Sequence, residues 1–564
     1  MRCCWAIMVI ALLVYSGNAL GKRSTDCTKG HRYSDVALRK TELRELVNVA
    51  LLEPQMIVGN LRVVQQDIFP NSNQWLFDKA NTWHTPTRTS TILVLLPFAQ
   101  GDLIDTAGID EAERLLRNKP YFYDARILIR RHCGSAADLD ILVREVWTLT
   151  PTISGSRTGG ETETKLGIAD SNWRGTGRHF ALRMEKDAEE TQIDVRLKDR
   201  EERGKWLKKL SATYGQNSRN YAVGVDKPFV SLSTPKAKGV QIAQHKYEKR
   251  LYLLGEELVG FDIENVNANL YTARLAHPKP KNGEFVRNRY YYGLRYTQEI
   301  LDEVKISGTT AFQQRERKFT YPYFAWERIS SSFIKTAHLH HFGAVEDVNL
   351  GWHFYTEVGY SANGILSNKS TVHLQGRASK SWLTDQNHLA SATLSVAGRY
   401  NSSQRRPENL LTRLRLAYLY AASDRWRWFA ELELRHGRNL DQAHLLELGG
   451  SEGLRGYSSH YLSGTRTYKI LIEPRYDTKR TPLSLFRLGL VGFIEHGRAW
   501  FSRTPAAWAN HGESGMLANV GVGIRLDSIR TGSNQTVHVD IARPLISHGR
   551  VSSYELTLTV KKGL

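Results

Sequence analysis

The chain has 564 residues, 41% hydrophobic and 24% charged, with 77 Lys and Arg against 57 Asp and Glu for a net charge of +20. After residue 20 no apolar run approaches the roughly 18 residues that a spanning helix needs. This excludes a helical membrane protein but not a β-barrel, whose apolar residues alternate and escape a hydropathy window.

The N-terminus carries an export signal. Arg2 supplies a positive region, Cys3 to Tyr15 an apolar core, and Ser16, Gly17, Asn18 and Ala19 a small or polar cleavage region. Residues 1–19 therefore read as a secretory signal peptide. Export removes nucleic acid as a partner for the +20 charge. The charge is expected to line a lumen or to face anionic lipid headgroups. Cys3 and Cys4 leave with the signal. Cys27 and Cys133 reach an oxidising compartment, where a disulfide and two free thiols are both open. Neither has a partner at metal-ligand spacing.

Residues 20–55 contain a short amphipathic helix, 34–52, with Leu43, Leu46, Val47, Ala50 and Leu51 on one face and Pro54 as its stop. Residues 56–149 read as a small α/β unit. Its expected elements are a strand from Ile57 to Ile68, a helical stretch from Trp75 to Ala80 and an apolar run from Thr91 to Phe98. A helix from Asp110 to Arg117, capped by Asp110, and strands Tyr123–Arg131 and Asp138–Trp147 follow. Thr150-Pro151-Thr152 ends the unit and begins a linker.

From Gly155 the pattern changes to period-2 alternation. Leu410, Leu414, Leu416, Tyr418 and Tyr420 share one face, against Arg413 and Arg415. Trp426, Trp428, Ala430, Leu432 and Leu434 stand against Arg425, Arg427, Glu431, Glu433 and Arg435. Tyr468, Ile470 and Ile472 alternate with Lys469, Glu473 and Arg475. The same holds for Val520, Val522, Ile524 and Leu526 against Asn519 and Arg525, and for Val537, Val539 and Ile541 against His538 and Asp540. One face is apolar and rich in Trp and Tyr; the other carries Arg and Glu. That is the pattern of a transmembrane barrel with a polar lumen, and residues 155–564 allow about 16 strands. An exported soluble all-β protein is the alternative.

Four stretches carry a family resemblance. The first is Gly449-Gly450-Ser451-Glu452-Gly453-Leu454-Arg455-Gly456-Tyr457, and the second Gly492-Phe493-Ile494-Glu495-His496-Gly497. The third is the turn Asp170-Ser171-Asn172-Trp173-Arg174-Gly175-Thr176-Gly177. The fourth comprises Gly101-Asp102, Glu113 to Arg117 and Tyr121 to Ala125. Together they resemble the bacterial surface-antigen (BamA/TamA) superfamily of POTRA-plus-barrel outer-membrane proteins. The resemblance implies a membrane all-β fold: an antiparallel transmembrane barrel of about 16 strands (155–564) behind one POTRA-like periplasmic domain (56–149). It also implies that Arg455, at the tip of a loop folded into the barrel, meets the carboxylate of the second motif. Here that residue is Glu495, where the family has Asp. Strand parity places Phe493 and Glu495 on the same inward face as Arg487. By similarity to two-partner secretion transporters, the 34–52 helix is a candidate plug.

No Gly-x-Ser-x-Gly elbow occurs, and neither an enzyme activity nor a cofactor is implied. His338, His340 and His341 form a local cluster better explained as loop or interface residues than as a metal site. The basic run 199–209 reads as a solvated turn.

The leading expectation is an outer-membrane assembly or translocation factor of a Gram-negative bacterium, with its POTRA-like domain in the periplasm. Its partners would be outer-membrane lipid and lipopolysaccharide, extended client polypeptides, and a periplasmic or inner-membrane assembly partner. One alternative is a passive channel for anionic solutes; another is a periplasmic tether or lipid-handling protein. A lumen closed by the Arg455 loop and a weakly paired seam between first and last strands favour assembly. An open lumen favours the channel.

Overall fold

A computed structural model describes residues 27–29, 56–68, 84–133, 135–158, 161–186, 190–202, 204–253, 256–276, 285–304, 315–337, 345–364, 366–385, 387–502, 515–530, 535–546 and 551–562. The expected signal peptide 1–19, the helix 34–52, the helical stretch 75–80 and the histidines at 338, 340 and 341 lie outside the described residues.

Among the described residues the N-terminal unit is a five-stranded sheet with two helices. Its elements are β1 (Cys27–Lys29), β2 (Met56–Gln66), α1 (Thr89–Leu93), β3 (Leu103–Ile104), α2 (Thr106–Arg117), β4 (Phe122–Cys133) and β5 (Ala136–Glu145). The strand order is β1-β4-β5-β2-β3. β2 runs parallel to β5, and the other neighbours are antiparallel. The apolar residues of β5 are central for a reason: Leu139, Ile141 and Val143 are fully buried against Ile92, Ala112 and Leu116 of the helices. Each large apolar side chain so buried contributes about 1.5–3 kcal/mol.

Helix α2 starts earlier than its sequence suggests. Its N-cap is Asp105, not Asp110: the Asp105 carboxylate accepts the Gly108 N–H at 2.8 Å. Gly108, a poor helix former, hid this first turn. Ile109, Ala112 and Leu116, at i, i+3 and i+7, turn one face of α2 to the sheet. The apolar run at Thr91 begins inside the short helix α1.

The rest of the described chain is dominated by one antiparallel sheet of twenty strands, from Leu149–Thr158 to Glu555–Lys562. The count exceeds the expected 16 because several early strands, such as His179–Lys186 and Thr191–Lys198, have only 8 residues. The sheet also begins before the expected linker: Pro151 lies within the first strand, in register with Ile168. The sheet curls so that its first and last strands are neighbours. No helix among the described residues is long and apolar enough to cross a membrane.

Side chains alternate between two environments. Trp426, Trp428 and Leu434 are exposed on the convex face, while Glu431 and Glu433 between them are buried inward. Val520, Val522 and Ile524 are likewise exposed, and Asn519 and Arg525 buried. A water-facing sheet would reverse this, so the convex face suits hydrocarbon.

The N-terminal unit docks across the turns at one end of the large sheet. The Thr91 hydroxyl and the Arg88 N–H both donate to the Gly175 carbonyl, at 3.0 and 2.9 Å. Lys119 meets Glu201 at 2.7 Å, and Glu111 accepts the Leu232 N–H at 2.5 Å. Trp147 N–H donates to the Arg530 carbonyl at 2.7 Å, and Ile68 packs against Trp147 and Leu485. The docked turns come from both ends of the strand order.

Candidate functional site

The inward face of the sheet holds a loop, 439–465, that enters from the end opposite the N-terminal unit. Its tip is Arg455, which is almost fully buried. Arg455 Nε donates to Glu495 at 3.0 Å, and its backbone N–H donates to the other Glu495 oxygen at 2.7 Å. The guanidinium also reaches Glu473 at 3.2 Å and Asp540 at 3.1 Å. It lies 3.4 Å from the centre of the Phe493 ring. Three strands, Arg466–Asp477, Phe486–Trp500 and Gln535–Pro544, thus supply one carboxylate each. Arg525 shares the load, bonded to Asp540 at 2.6 Å. A cation this deep is tolerated only because fixed carboxylates and a ring face replace water.

The glycines around the tip have geometric work. Gly453 sits at φ 105°, and a Cβ there would come 2.4 Å from the Lys469 side chain. At Gly456 a Cβ would lie 2.7 Å from Asn519, the residue whose amide donates to Glu495 at 2.9 Å. Tyr457 is buried with Leu454, Tyr461 and Leu462 against Ala499 and Leu517. Its hydroxyl donates to the Ile546 carbonyl at 2.6 Å and accepts the Ala518 N–H at 3.0 Å. Gly449 and Gly450 turn the loop at positive φ. In the second motif a Cβ at Gly492 would make ordinary contact with Pro474 at 3.7 Å, and Gly497 lies close to Tyr468, Leu448 and Leu454.

The same loop touches the far wall. Asp441 pairs with Arg317 in strand Arg315–Ser331, and Ala443 and Leu445 pack on Phe261, Ile263 and Leu301. These strands lie nearly half-way round the twenty-strand order from Phe486–Trp500. The loop therefore spans the lumen from wall to wall.

At the other end a second element enters. Between strands Arg315–Ser331 and His353–Ser361 the chain forms a small hairpin, Phe333–Ala337 with Val345–Asn349. One of its faces packs Ile334 and Val348 on the inward residues Leu389, Leu419 and Phe429. A cavity of about 270 Å³ remains between Val348 and that wall. The other face is held by α2. Arg117 donates to both Asp347 oxygens, at 2.9 and 2.7 Å. Lys335 meets Glu113 at 2.7 Å, and Arg114 lies 4.2 Å from the Phe333 ring centre. Burial alone would draw a proton off Arg117, but Asp347 and Glu113 outweigh it and hold the guanidinium above the ordinary arginine range. Glu201 is balanced likewise: burial would raise its carboxyl, but Lys119 and then Lys198 hold it down to about 2.

The seam between first and last strands is thin. Among the described residues Leu558 and Arg157 are its one register pair, whereas the adjoining Leu149–Thr158 and Glu161–Asp170 share ten. Pro151 in the seam strand has no N–H to offer either neighbour.

The structure brings Arg455, Phe493 and Glu495 together. It adds Glu473 and Asp540, which sequence reading placed on the inward face without linking them to Arg455. Register was the missing information: only the pairing of Ile472 with Ile494 brings Glu473 beside the motif. Cys27 and Cys133 are register partners across β1 and β4. The basic run 199–209 is more than a solvated turn, since it carries the Glu201 contact to Lys119. The lumen arginines are largely paired: Arg413 with Glu433, Arg415 with Glu431, Arg487 with Asp477 and Arg295 with Glu357. Among the described residues no group of three or more His, Cys, Asp or Glu side chains is placed to hold a metal ion.

No family model matches the chain, and no curated protein matches it by sequence. Solved structures with a similar chain course include BamA from Haemophilus ducreyi lacking POTRA domains 1–3, at 11% identity and a TM-score of 0.41, covering 90% of this chain and 85% of that one. CdiB from Acinetobacter baumannii has 12% identity and a TM-score of 0.44, covering 90% and 73%. CdiB from Escherichia coli has 10% identity and a TM-score of 0.39, covering 93% and 94%.

Proposed function

We propose that the chain is an outer-membrane β-barrel of the surface-antigen type that assists the assembly or translocation of polypeptides, with its N-terminal unit as a POTRA-like domain in the periplasm. The observation that carries this reading is the seam: among the described residues one register pair joins the first and last strands. An antiparallel edge opened there offers unpaired N–H and C=O groups to a client strand. The wall-to-wall loop and the clamped hairpin support the same reading, because they obstruct the lumen that a passive channel needs. The paired arginines weaken the anion-channel alternative further, since each carboxylate cancels most of the field that would attract an anion.

In this reading the N-terminal unit meets clients first. Its edge strand β3 is two residues long, and Leu103 on it is well exposed. A photo-crosslinking residue at Leu103 in cells should capture extended outer-membrane or secreted polypeptides. Capture of small-solute carriers or lipid alone would contradict the proposal.

A further inference from the structure

The hairpin Phe333–Ala337 with Val345–Asn349 turns chemically different faces to two different walls. Its five register pairs set alternate residues on opposite sides. Phe333, Lys335 and Asp347 face α2, while Ile334 and Val348 face the barrel wall. Both walls are built by other parts of the chain. On the α2 side Arg117 is already held by Glu113 at 3.2 Å and by the Ala125 carbonyl at 3.1 Å. Glu113 in turn accepts the Ile127 N–H at 2.8 Å. The forked donor that meets Asp347 is therefore set by the N-terminal unit itself. On the other side Leu389, Leu419 and Phe429 form an apolar island at the strand ends nearest that unit. Further along the same strands the inward residues Arg415 and Glu431 form an ion pair.

The hairpin fits these walls unequally. Towards α2 both Asp347 oxygens are bonded, at 2.9 and 2.7 Å. Towards the barrel, Val348 leaves the cavity of about 270 Å³ against Leu389, Leu419 and Phe429. Packed interiors rarely keep a void of that size, because the atoms lining it lose their dispersion partners. A side chain larger than valine would use the space. The charged contact is complete and the apolar one is not, so an occupant with the same acid and a bulkier apolar neighbour would fit better.

We propose that the space between α2 and the barrel wall is a docking groove for an extended client segment, and that the hairpin is its resident occupant. The partner it fits is a β-strand with a carboxylate on one face, for Arg117, flanked by bulky apolar residues on the other, for the wall. Neighbouring residues of a strand point to opposite sides, so a Phe-Asp-Phe segment meets both walls at once. Hairpin and client compete for one place. The apparent affinity for the client therefore falls with the fraction of time the hairpin is seated. This inference rests on the polypeptide-handling reading above.

The test uses the full chain in detergent and fluorescence anisotropy with a labelled strand peptide centred on Phe-Asp-Phe. D347N loosens the hairpin without altering either wall, so it should bind the peptide about tenfold more tightly than the wild type. V348F fills the cavity, seats the hairpin more firmly and should bind about tenfold more weakly. Asn in place of the peptide's Asp should weaken binding to all three forms about tenfold. Hydrogen exchange at 333–336 and 346–349 should rise when the peptide binds, because the hairpin must leave. Equal binding by the three forms, equal binding of the Asp and Asn peptides, or peptide binding with hairpin exchange unchanged would overturn the inference. Insertion of a urea-unfolded outer-membrane polypeptide into proteoliposomes separates the two readings. Stimulated insertion together with equal peptide binding by the three forms overturns the groove alone; no stimulation and no peptide captured by any form overturns both.

Discussion

Arg455 and Glu495 are joined twice, once through the guanidinium at 3.0 Å and once through the backbone N–H of Arg455 at 2.7 Å. The pair therefore fixes the loop tip as well as neutralising it. Removing the cation leaves Glu495, Glu473 and Asp540 crowded in a buried site. Arg455→Ala should cost about 3–5 kcal/mol, the range for breaking a buried ion pair. Glu495→Gln keeps a polar group and leaves two carboxylates on the arginine, so it should cost less, about 1–3 kcal/mol. Urea midpoints of the heat-resistant, fast-migrating gel band measure both. Equal effects would show that Glu473 and Asp540 do not share the charge.

The register partnership of Cys27 and Cys133 predicts a disulfide in the exported protein. Intact mass should rise by two hydrogens on reduction. Cys133→Ser should destabilise the N-terminal unit by about 2–4 kcal/mol, within the usual range for a lost bridge. Two thiols titrating in protein taken directly from the oxidising compartment would refute the bridge.

Docking of the N-terminal unit should weaken in acid through Glu201. Its carboxyl is held down to about 2 by Lys119 and Lys198 against the effect of burial. A depressed carboxyl stabilises the docked state above its ordinary pKa near 4.5, and that contribution is lost as pH falls through the window down to about 2. Hydrogen exchange at residues 199–206 and around Lys119 should rise across that window. Glu201→Gln should remove the pH dependence; an unchanged profile in the variant would assign the effect elsewhere.

The hairpin should act as a closure held by α2. Asp347→Asn removes the forked pairing with Arg117, and replacing 332–351 by a short turn removes the element. Conductance in planar bilayers should stay low in the wild type, flicker in Asp347→Asn and rise severalfold on hairpin replacement. Unchanged conductance in all three would mean that the hairpin does not obstruct the pore.

Much of the large sheet was legible because its two faces meet different media. Trp426, Trp428 and Leu434 alternate with Glu431 and Glu433, the apolar-outside, charged-inside pattern of a barrel in hydrocarbon. Parity also placed Phe493 and Glu495 inward. What parity lacks is register: Glu473 and Asp540 belong to different strands, and only the ladder shows that they converge on Arg455. The hairpin escaped notice because Phe333–Ala337 and Val345–Asn349 are too short to separate from the strands beside them. Its meaning depends on Arg117, more than two hundred residues away. The start of α2 was hidden by Gly108, whose N–H meets Asp105 in the first turn.

The central claim is that the thin seam opens to handle polypeptide. Arg157 and Leu558 are its register partners, so R157C/L558C places two thiols where a disulfide can lock it. The decisive measurement compares insertion of an urea-unfolded outer-membrane polypeptide into proteoliposomes containing this variant, oxidised and reduced. Insertion should fall to the protein-free rate when the seam is locked and return on reduction, with conductance unchanged. Equal insertion in both states, or no stimulation by the wild type together with a large steady conductance, would contradict the account.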